Sequence, residues 1–596
     1  MKLSTRSADG RRHLSLPSPL VPMTRPTMRQ RLPGNGERVV VIGAGLAGLS
    51  AALRLRSAGR EVTVVEAANA VGGRCRSEQL TSAHGDFVAD TGATVLTMPG
   101  LIESAVASVG IDLRSEAAAE QLGLERPWAP KRLAPAYHAQ FASGRHAEVF
   151  ADRDAMVAEI RRFADSKGLD RAATDELAAG YLTHREWSQS VFSASFENFL
   201  AADFDGALDL LSTPAAASDL GHLGSLGAFG SLGKTAARHI SDAELQRLFT
   251  FQALYAGVAP KNARAVYTVI SHMDTSMGVF YPGFSMSDVP EVMAAALRAA
   301  GGRIITSDAV EHVDFSEDLI TGVRTRSGEY IDCDAVVATP DLPVVGELLT
   351  RSGRESALIS RSFARRMWRK VAPLRWSPSA VVIHGSIPTD VSGRWESQRH
   401  HTISFGEAWD ETFREITAPH GRGRLMSDPS LLLTRPARTV ADRTFGGVVG
   451  GDATSRRAGV STGTSTGAYE PLSILAPAPN LRSADIDWEN VTDPYVQELL
   501  GVLEARGYTG ITEHFRAARV DTPASWQADH GFGAGSPFAL AHSFTQTGPF
   551  RPRNARAFGV DNLVLAGSST TPGVGVPTVI LSGALAARRI TGGGVL

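Results

Sequence analysis

The 596-residue sequence is short of cysteine, of charge of one sign, and of long apolar runs. Cys75 and Cys333 are its only cysteines. Two such distant thiols exclude a disulfide scaffold and a cysteine-rich metal site, and fit a reducing cytoplasm. The 60 Lys and Arg residues nearly balance 62 Asp and Glu, so no basic field favours nucleic acid. A membrane span needs about 20 apolar residues, and an uncharged stretch long enough is Leu563–Ala587, LVLAGSSTTPGVGVPTVILSGALAA, followed by Arg588 and Arg589. As a span it would bury Ser568, Ser569, Thr570, Thr571 and two prolines at the bilayer centre, and Pro577 would break the hydrogen bonding that lipid demands. Strand, glycine loop and helix is the better reading.

What is present is the profile of a folded soluble protein, 43% apolar and 20% charged, long enough for two to four domains. Residues 1–36 are basic and rich in Pro and Ser, and are expected to be a disordered tail. Arg11-Arg12 lacks a following apolar segment, so export is not expected, and Met23 and Met28 are alternative starts.

From Arg38 the chain reads RVVVIGAGLAGLSAALRLRSAGREVTVVEA. Val39–Ile42 is a β-branched run suited to a buried parallel strand. Gly43-Ala44-Gly45-Leu46-Ala47-Gly48 follows, then helical character over Leu49–Ser57, a stop at Gly59, a strand at Val62–Val65, and Glu66. This is the strand, glycine loop, helix, strand and acid of a dinucleotide fold. Gly43 allows the tight turn, Gly45 lets a pyrophosphate approach the backbone, and Gly48 packs helix on strand. The helix N-terminus offers free N–H groups and about half a positive charge to the phosphates. Glu66 can accept from the ribose hydroxyls of an adenosine.

Beyond Glu66, Gly72-Gly73-Arg74 resembles the flavoprotein pattern, with Arg74 able to fork onto the diphosphate. A surface arginine is the alternative. DTGATVLTMP at Asp90–Pro99, which includes Gly92, continues that resemblance. SFTQTGPFRPRN at Ser543–Asn554 with NLVLAGSSTTPGVGVPTVILSG after it, GVFYPGFSMSDVPEVMAAALRAAGGRIITSDAVEHV at Gly278–Val313, HHTISFGEAWDETFREI at His400–Ile416, DPSLLL at Asp428–Leu433 and LAPAPNL at Leu475–Leu481 resemble, in order, the bacterial-type phytoene desaturases of the amine-oxidase-like flavoproteins. The sequence departs from that pattern at Thr571, where the family has His, at Thr578, where it has Gly, at Phe284, where it has a second Gly, and in a longer polar run at 441–470, expected to be a surface insertion.

The resemblance implies an α/β fold. A discontinuous Rossmann-type FAD domain is expected over 37–114, 289–343 and 517–596. An α+β substrate domain with a mixed sheet and a helical subregion is expected over 115–288 and 344–516. FAD would contact Gly43, Ala44, Gly45, Leu46, Ala47, Gly48, Glu66, Gly72, Gly73, Arg74, Gly92 and Val310. At the chain's end it would meet Gly567, Gly575 and Val576, where a helix starting at Val576-Pro577 points its dipole at the N1/O2 edge of the flavin. Strands are expected at Ile304–Thr306, Ala335–Ala338 and Asn562–Ala566, a helix at Val289–Ala300, and a hairpin over Ala136–Phe150 around Ser143-Gly144.

The implied reaction is desaturation of phytoene or a related polyene, a hydride leaving an allylic CH₂ for the flavin and a proton leaving the adjacent carbon. Such a substrate binds by apolar burial, about 0.8 kcal/mol per CH₂. Phe251, Tyr255, Phe280 and Thr571 are the candidate substrate contacts, with ordinary core packing the alternative for the aromatics. Asp90, Glu407, His400 and His401 could be considered as proton acceptors, each with a structural or surface role as the alternative, which is the favoured reading for the two histidines. No metal site is expected, because adjacent strand residues such as His400 and His401 point to opposite faces. Leu200–Leu232 is core, tunnel wall or a lipid-facing surface. The electron acceptor would be oxygen or a quinone, and the location the inner face of the cell membrane. Other readings are a polyene oxidase or ketolase, an amine oxidase, whose aromatic cage is not recognisable here, and a carotenoid-binding flavoprotein without turnover.

Overall fold

The structure is a computed structural model that describes residues 32, 36–355, 374–446, 467–555 and 557–592. Its centre is a five-stranded parallel sheet in the order Leu563–Leu565, Ala335–Ala338, Arg38–Ile42, Glu61–Val65, Arg303–Ile305. Both faces are covered, which is why the strands read as unbroken apolar runs: Val39, Val40, Val41 and Ile42 are all buried. The helices Leu46–Ser57, Asp288–Ala299 and Val576–Thr591 share one core with Val39, Val41, Val62 and Val64. The first and last of these cross closely. Ser50 Oγ donates to Ile580 O at 2.7 Å, and a Cβ on Gly583 would lie 2.2 Å from Ala47 O. The antiparallel strands Val310–Ser316, Leu319–Thr325 and Tyr330–Asp332, with the helix Leu342–Glu355, close the other side.

A second sheet roofs the first domain. Its strand order is Arg516–Asp521, Ser379–Pro388, Ala468–Ala478, Leu431–Thr434, His401–Ser404, Tyr137–Gln140, His146–Val149. All neighbours are antiparallel except His401–Ser404 with Tyr137–Gln140. Tyr137–Gln140 and His146–Val149 form the hairpin around Ser143-Gly144. Val381, Ile383 and Ile387 alternate along one strand and pack, with Leu472 and Ile474, on the helix Trp488–Ala505. The helices Arg153–Ser166 and Arg171–Ser195 begin the helical subregion, each capped by an aspartate, Asp152 and Asp170.

Several expectations shift. Arg516–Asp521 pairs with Ser379–Pro388, Ile383 opposite Val520, so the last cofactor segment starts after this strand and not at 517. Leu342–Glu355 packs its Leu342, Val345, Leu348 and Leu349 with Val40 and Val336, so the cofactor domain extends beyond 343. Of the run 441–470, residues 447–466 lie outside the described residues; at its ends Ala441, Asp442, Thr444, Gly446 and Gly467 are exposed, as a surface insertion would be, but Arg443 and Glu470 are interior. Arg443 is buried and donates to Tyr281 Oη, Phe284 O and Val88 O, and Glu470 is buried between Arg435 and Arg438. Of the expected tail, Leu32 is buried with its N–H on Arg589 O, 3.1 Å.

Leu200–Leu232 divides among its three readings: Leu223 and Ala228 are core, Leu200 lines a cavity, and Leu208, Leu211 and Phe229 are exposed. Among the described residues no helix is long and apolar enough to cross a membrane. Arg589, a possible membrane stop in the sequence, is buried against Asp203 and Asp205.

Candidate cofactor and substrate cavity

One cavity of about 760 Å³ runs between the parallel sheet and the second sheet. Its floor is the glycine loop. Gly43 has φ +98°, donates to Val65 O at 2.8 Å, and a Cβ there would meet Thr339 Oγ1 at 2.3 Å. A Cβ on Gly48 would lie 2.0 Å from Gly43 O, so only glycine lets the helix start this close to the turn. At Gly45 the nearest atoms to such a Cβ are Gly72 O at 3.9 Å and Gly73 Cα at 4.0 Å, which leaves open space in the cavity wall. That space, at the N-terminus of Leu46–Ser57, is where a pyrophosphate approaches backbone N–H groups.

The predicted residues fall into two groups. Gly43, Gly45, Leu46, Ala47, Glu66, Gly72, Gly73, Arg74, Gly92, Val310, Gly567, Gly575, Val576, Tyr255 and Thr571 all line this cavity. Ala44 and Gly48 stand behind the wall: Ala44 N–H donates to Glu66 Oε2 at 2.6 Å, and Ala44 O accepts from Gly72 N at 2.9 Å. Glu66 Oε1 accepts from Ala68 N at 2.9 Å, so two backbone donors fix the carboxylate. Phe251 and Phe280 do not line the cavity. Phe251 packs edge-on against Tyr137 and Tyr255 in the core, and Phe280 is held in a two-stranded pairing with Arg132, its N–H on Leu96 O at 2.7 Å.

Arg74 is not a surface side chain. Its Nη2 pairs with Asp341 Oδ2 at 2.7 Å, its guanidinium lies over the Phe532 ring at 3.9 Å, and its buried Nε has no partner. Asp341 also accepts from Gly533 N and Ser569 Oγ, at 2.9 and 2.8 Å. An open cradle at Gly45, a fixed ribose acid, and an unsatisfied arginine N–H in the wall fit a flavin dinucleotide. The far wall is the helix Val576–Thr591, whose first turn holds no acid and whose last holds Arg588 and Arg589, so the dipole is unopposed at the cavity end.

The final loop is built by the Gln-x-x-x-Phe-Arg-Pro segment. Buried Arg551 donates to Ser568 O at 2.5 Å and Thr570 O at 2.9 Å, and burial pushes its guanidinium down to about 10. Gln546 Nε2 donates to Arg375 O and Ala541 O, both 2.9 Å. His542, stacked on Tyr267 at 5.4 Å and buried, lines the cavity beside Gly573 with both ring nitrogens unpartnered, and burial holds it neutral.

Of the candidate proton acceptors, Asp90 lines the cavity but accepts from Tyr281 Oη, Met286 N and Ser77 Oγ and faces Arg443. Glu407 lies in a separate surface recess with Arg145 and Arg247. His400 and His401 do not point apart: His400 precedes the strand His401–Ser404, and the two rings are 4.4 Å apart. Burial lowers both, His401 to about 4, and among the described residues no group of three His, Cys, Asp or Glu could hold a metal. Sequence reading missed Asp274, which lines the cavity and is buried, with Tyr137 Oη donating to it at 3.3 Å. The only signal was one carboxylate inside the apolar stretch YTVISHMDTSMGVFYP.

A family model described as flavin containing amine oxidoreductase matches residues 46–425 and 497–591. The chain belongs to that family. Its relatives place it among the carotenoid desaturases. It is 42% identical over 561 residues to a phytoene dehydrogenase of Streptomyces griseus, covering 94% of this chain and 96% of that protein. It is 28% identical over 557 residues to a zeta-carotene-forming phytoene desaturase of Myxococcus xanthus, covering 93% and 94%. A solved oxidoreductase of Methanosarcina mazei shares the fold at TM-score 0.53 and 14% identity, covering 92% of this chain and 98% of that one. A putrescine oxidase mutant does so at TM-score 0.50 and 13% identity, covering 93% and 98%.

This desaturase is an FAD-dependent oxidoreductase of α/β fold. When bound, FAD would supply the two-electron redox chemistry. Gly43–Gly48 would cradle its diphosphate, Glu66 would meet its ribose and the helix start at Gly575-Val576 would face its ring, in a cavity whose wall also includes Trp526 and Phe532.

Proposed function

We propose that this desaturase introduces C=C bonds into phytoene or a related acyclic carotenoid. The observation that carries the reading is the composition of the wall beyond the final loop: Phe199, Leu200, Val266, Val269, Ile270 and Met273 line the same cavity as Val576 and Gly575. A long polyene without polar groups is held there by burial alone, and its register against the helix N-terminus selects the bond that reacts. The relatives named as phytoene dehydrogenase and desaturase support the same substrate class.

Anaerobic mixing of the holoprotein with phytoene should bleach the flavin, and the product spectrum should shift to the red with each added double bond. A flavin that stays yellow, or an oxygenated product, would favour a carotenoid-binding flavoprotein or a ketolase. Oxidation of amines without phytoene turnover would favour an amine oxidase. Comparing turnover under oxygen with turnover under added quinone identifies the electron acceptor.

The substrate resides in lipid, and the protein is proposed to sit peripherally on the inner face of the membrane. Leu208, Leu211, Phe229, Phe544 and Phe550 are exposed on neighbouring segments, and Thr547 and Gly548, between the last two, line the cavity. Both cysteines are free and buried, as suits a reducing compartment.

A further inference from the structure

We propose that Asp274 is the proton acceptor of the desaturation, its carboxylate taking the proton from the carbon next to the one that loses hydride. The proposal rests on the carotenoid desaturase reading of this cavity.

Asp274 stands in the helical turn Met273–Met277, where the helix Thr268–His272 ends against the cavity. It is 4% exposed, and its neighbours in the wall, Ile270 and Met273, are apolar. Among the described residues, Asp90 faces Arg443, Asp341 faces Arg74, Asp521 faces Arg519 and Glu470 faces Arg435, while buried Asp308 is held by Ser327 N–H and Oγ. Asp274 has instead one tyrosine hydroxyl, Tyr137 Oη at 3.3 Å. Tyr255 and Gln252 also face it. Arg185, on the adjoining helix, directs its guanidinium to Tyr181 Oη, Thr275 O and Ala151 O. His272 lies against Phe192, and His401 against Tyr137.

A carboxylate buried among apolar groups without a cation is costly and contributes nothing to holding a hydrocarbon. Burial raises Asp274 to about 7, with Tyr137 and Gln252 partly opposing that rise. It is therefore divided between its two forms at neutral pH, the condition under which a general base works best. Burial and the facing Asp274 carboxylate push Tyr137 well up, so it serves as a donor that positions the acid and not as a second base.

The step balances. One allylic C–H bond breaks and its hydrogen leaves with two electrons to the bound flavin. The C–H bond on the adjacent carbon breaks in the same step, its electron pair becomes the new C=C bond, and its proton joins an Asp274 oxygen. Asp274 releases that proton before the next turnover.

The test uses the FAD-loaded D274N and D274E variants with phytoene. D274N should keep its FAD and bind phytoene, measured by quenching of flavin fluorescence, while anaerobic flavin bleaching slows by about 10²–10⁴-fold. D274E should recover part of the rate. The wild-type bleaching rate should rise with pH through about 7, because the base must be ionised, and D274N should lack that rise. Without any substrate, infrared titration should show a protonated-carboxyl band that disappears near neutral pH and is missing in D274N. Wild-type bleaching by D274N, a pH rise that survives in it, or a carboxyl ionised throughout would overturn the proposal. So would loss of FAD in D274N with no recovery in D274E, which assigns a structural role. If wild-type protein fails to bleach with phytoene, the substrate reading fails instead, while the infrared titration still reports on the carboxyl.

Discussion

Arg74 and Asp341 meet across the cofactor cradle, Nη2 2.7 Å from Oδ2, with Asp341 almost fully buried and Arg74 about a quarter exposed. The pair joins the second glycine turn to the loop after the strand Ala335–Ala338, and through Ser569 Oγ to the final loop. Removing one partner of a buried pair leaves the other uncompensated, at a cost of about 3 kcal/mol. D341N should therefore lower stability in urea by about that amount and release flavin on gel filtration. Full stability with full flavin content would show that the three donors on Asp341 are dispensable.

Glu66 is held by Ala44 N–H and Ala68 N–H at 2.6 and 2.9 Å, with its side chain on the cavity wall. A hydrogen bond to a charged group contributes about 1.5–3 kcal/mol, so E66A should weaken FAD binding by about 10–150-fold. Fluorescence titration of the apoprotein with FAD measures it. An unchanged Kd would remove Glu66 from the ribose site.

The first motif was legible because its residues answer to local geometry: the β-branched Val39–Ile42, Gly43 and Gly48 with no room for Cβ, and Glu66 at the strand end. The strand Arg303–Ile305 and the helix Asp288–Ala299 each lie one residue earlier than the pattern suggests, within the usual fraying of ends. Arg516–Asp521 and Leu342–Glu355 were misassigned because nothing in a short strand or helix states which sheet it will join. Arg443 and Glu470 sit in a polar run that reads as surface, and only tertiary pairing reveals their burial. Phe251 and Phe280 failed as wall residues for the converse reason: an aromatic in an apolar stretch does not declare whether it faces a cavity or a core.

Two glycines in helices should respond in opposite directions. At Gly583 a Cβ would stand 2.2 Å from Ala47 O, so G583A must push the closing helix off the glycine-loop helix. Overpacking of this kind costs about 1–3 kcal/mol. Gly501, within Trp488–Ala505, has nothing within 4 Å of a Cβ, so G501A should stabilise by about 0.4–1 kcal/mol through the unfolded chain. Thermal unfolding monitored by circular dichroism distinguishes the two, and equal effects would refute the packing argument.

Glu470 gives the fold an acid-sensitive joint. Burial pushes its carboxyl up, but Arg435 and Arg438 more than reverse this, and its folded-state value lies below the ordinary one. A depressed carboxyl contributes stability that is complete above its unfolded value, about 4.3, and is lost as pH falls through the folded value. E470Q should thus be less stable than wild type at pH 7 by about 3 kcal/mol, with the gap closing below about pH 4. Urea unfolding at a series of pH values tests this, and a gap independent of pH would mean that packing, not charge, holds the site.

The exposed apolar side chains near the cavity give the last prediction. The Phe544 and Phe550 rings are tilted against each other at 5.9 Å, and Arg264 lies over Phe544 at 5.0 Å while donating to Phe229 O. The patch therefore couples three exposed aromatics with a cation, the pattern that suits an interface between acyl chains and anionic headgroups. Among the described residues Leu208, at 78%, is the most exposed of the large apolar side chains. L208D and F544D remove apolar contact and add charge where lipid is proposed to sit, at side chains that do not line the cavity. Flotation with anionic vesicles should fall strongly for the double variant, with FAD content and thermal stability unchanged. Turnover should fall for phytoene supplied in vesicles but not for phytoene supplied in detergent micelles. Undiminished flotation would place the membrane contact elsewhere, and equal losses in vesicles and micelles would mean that the substitutions damaged the cavity itself.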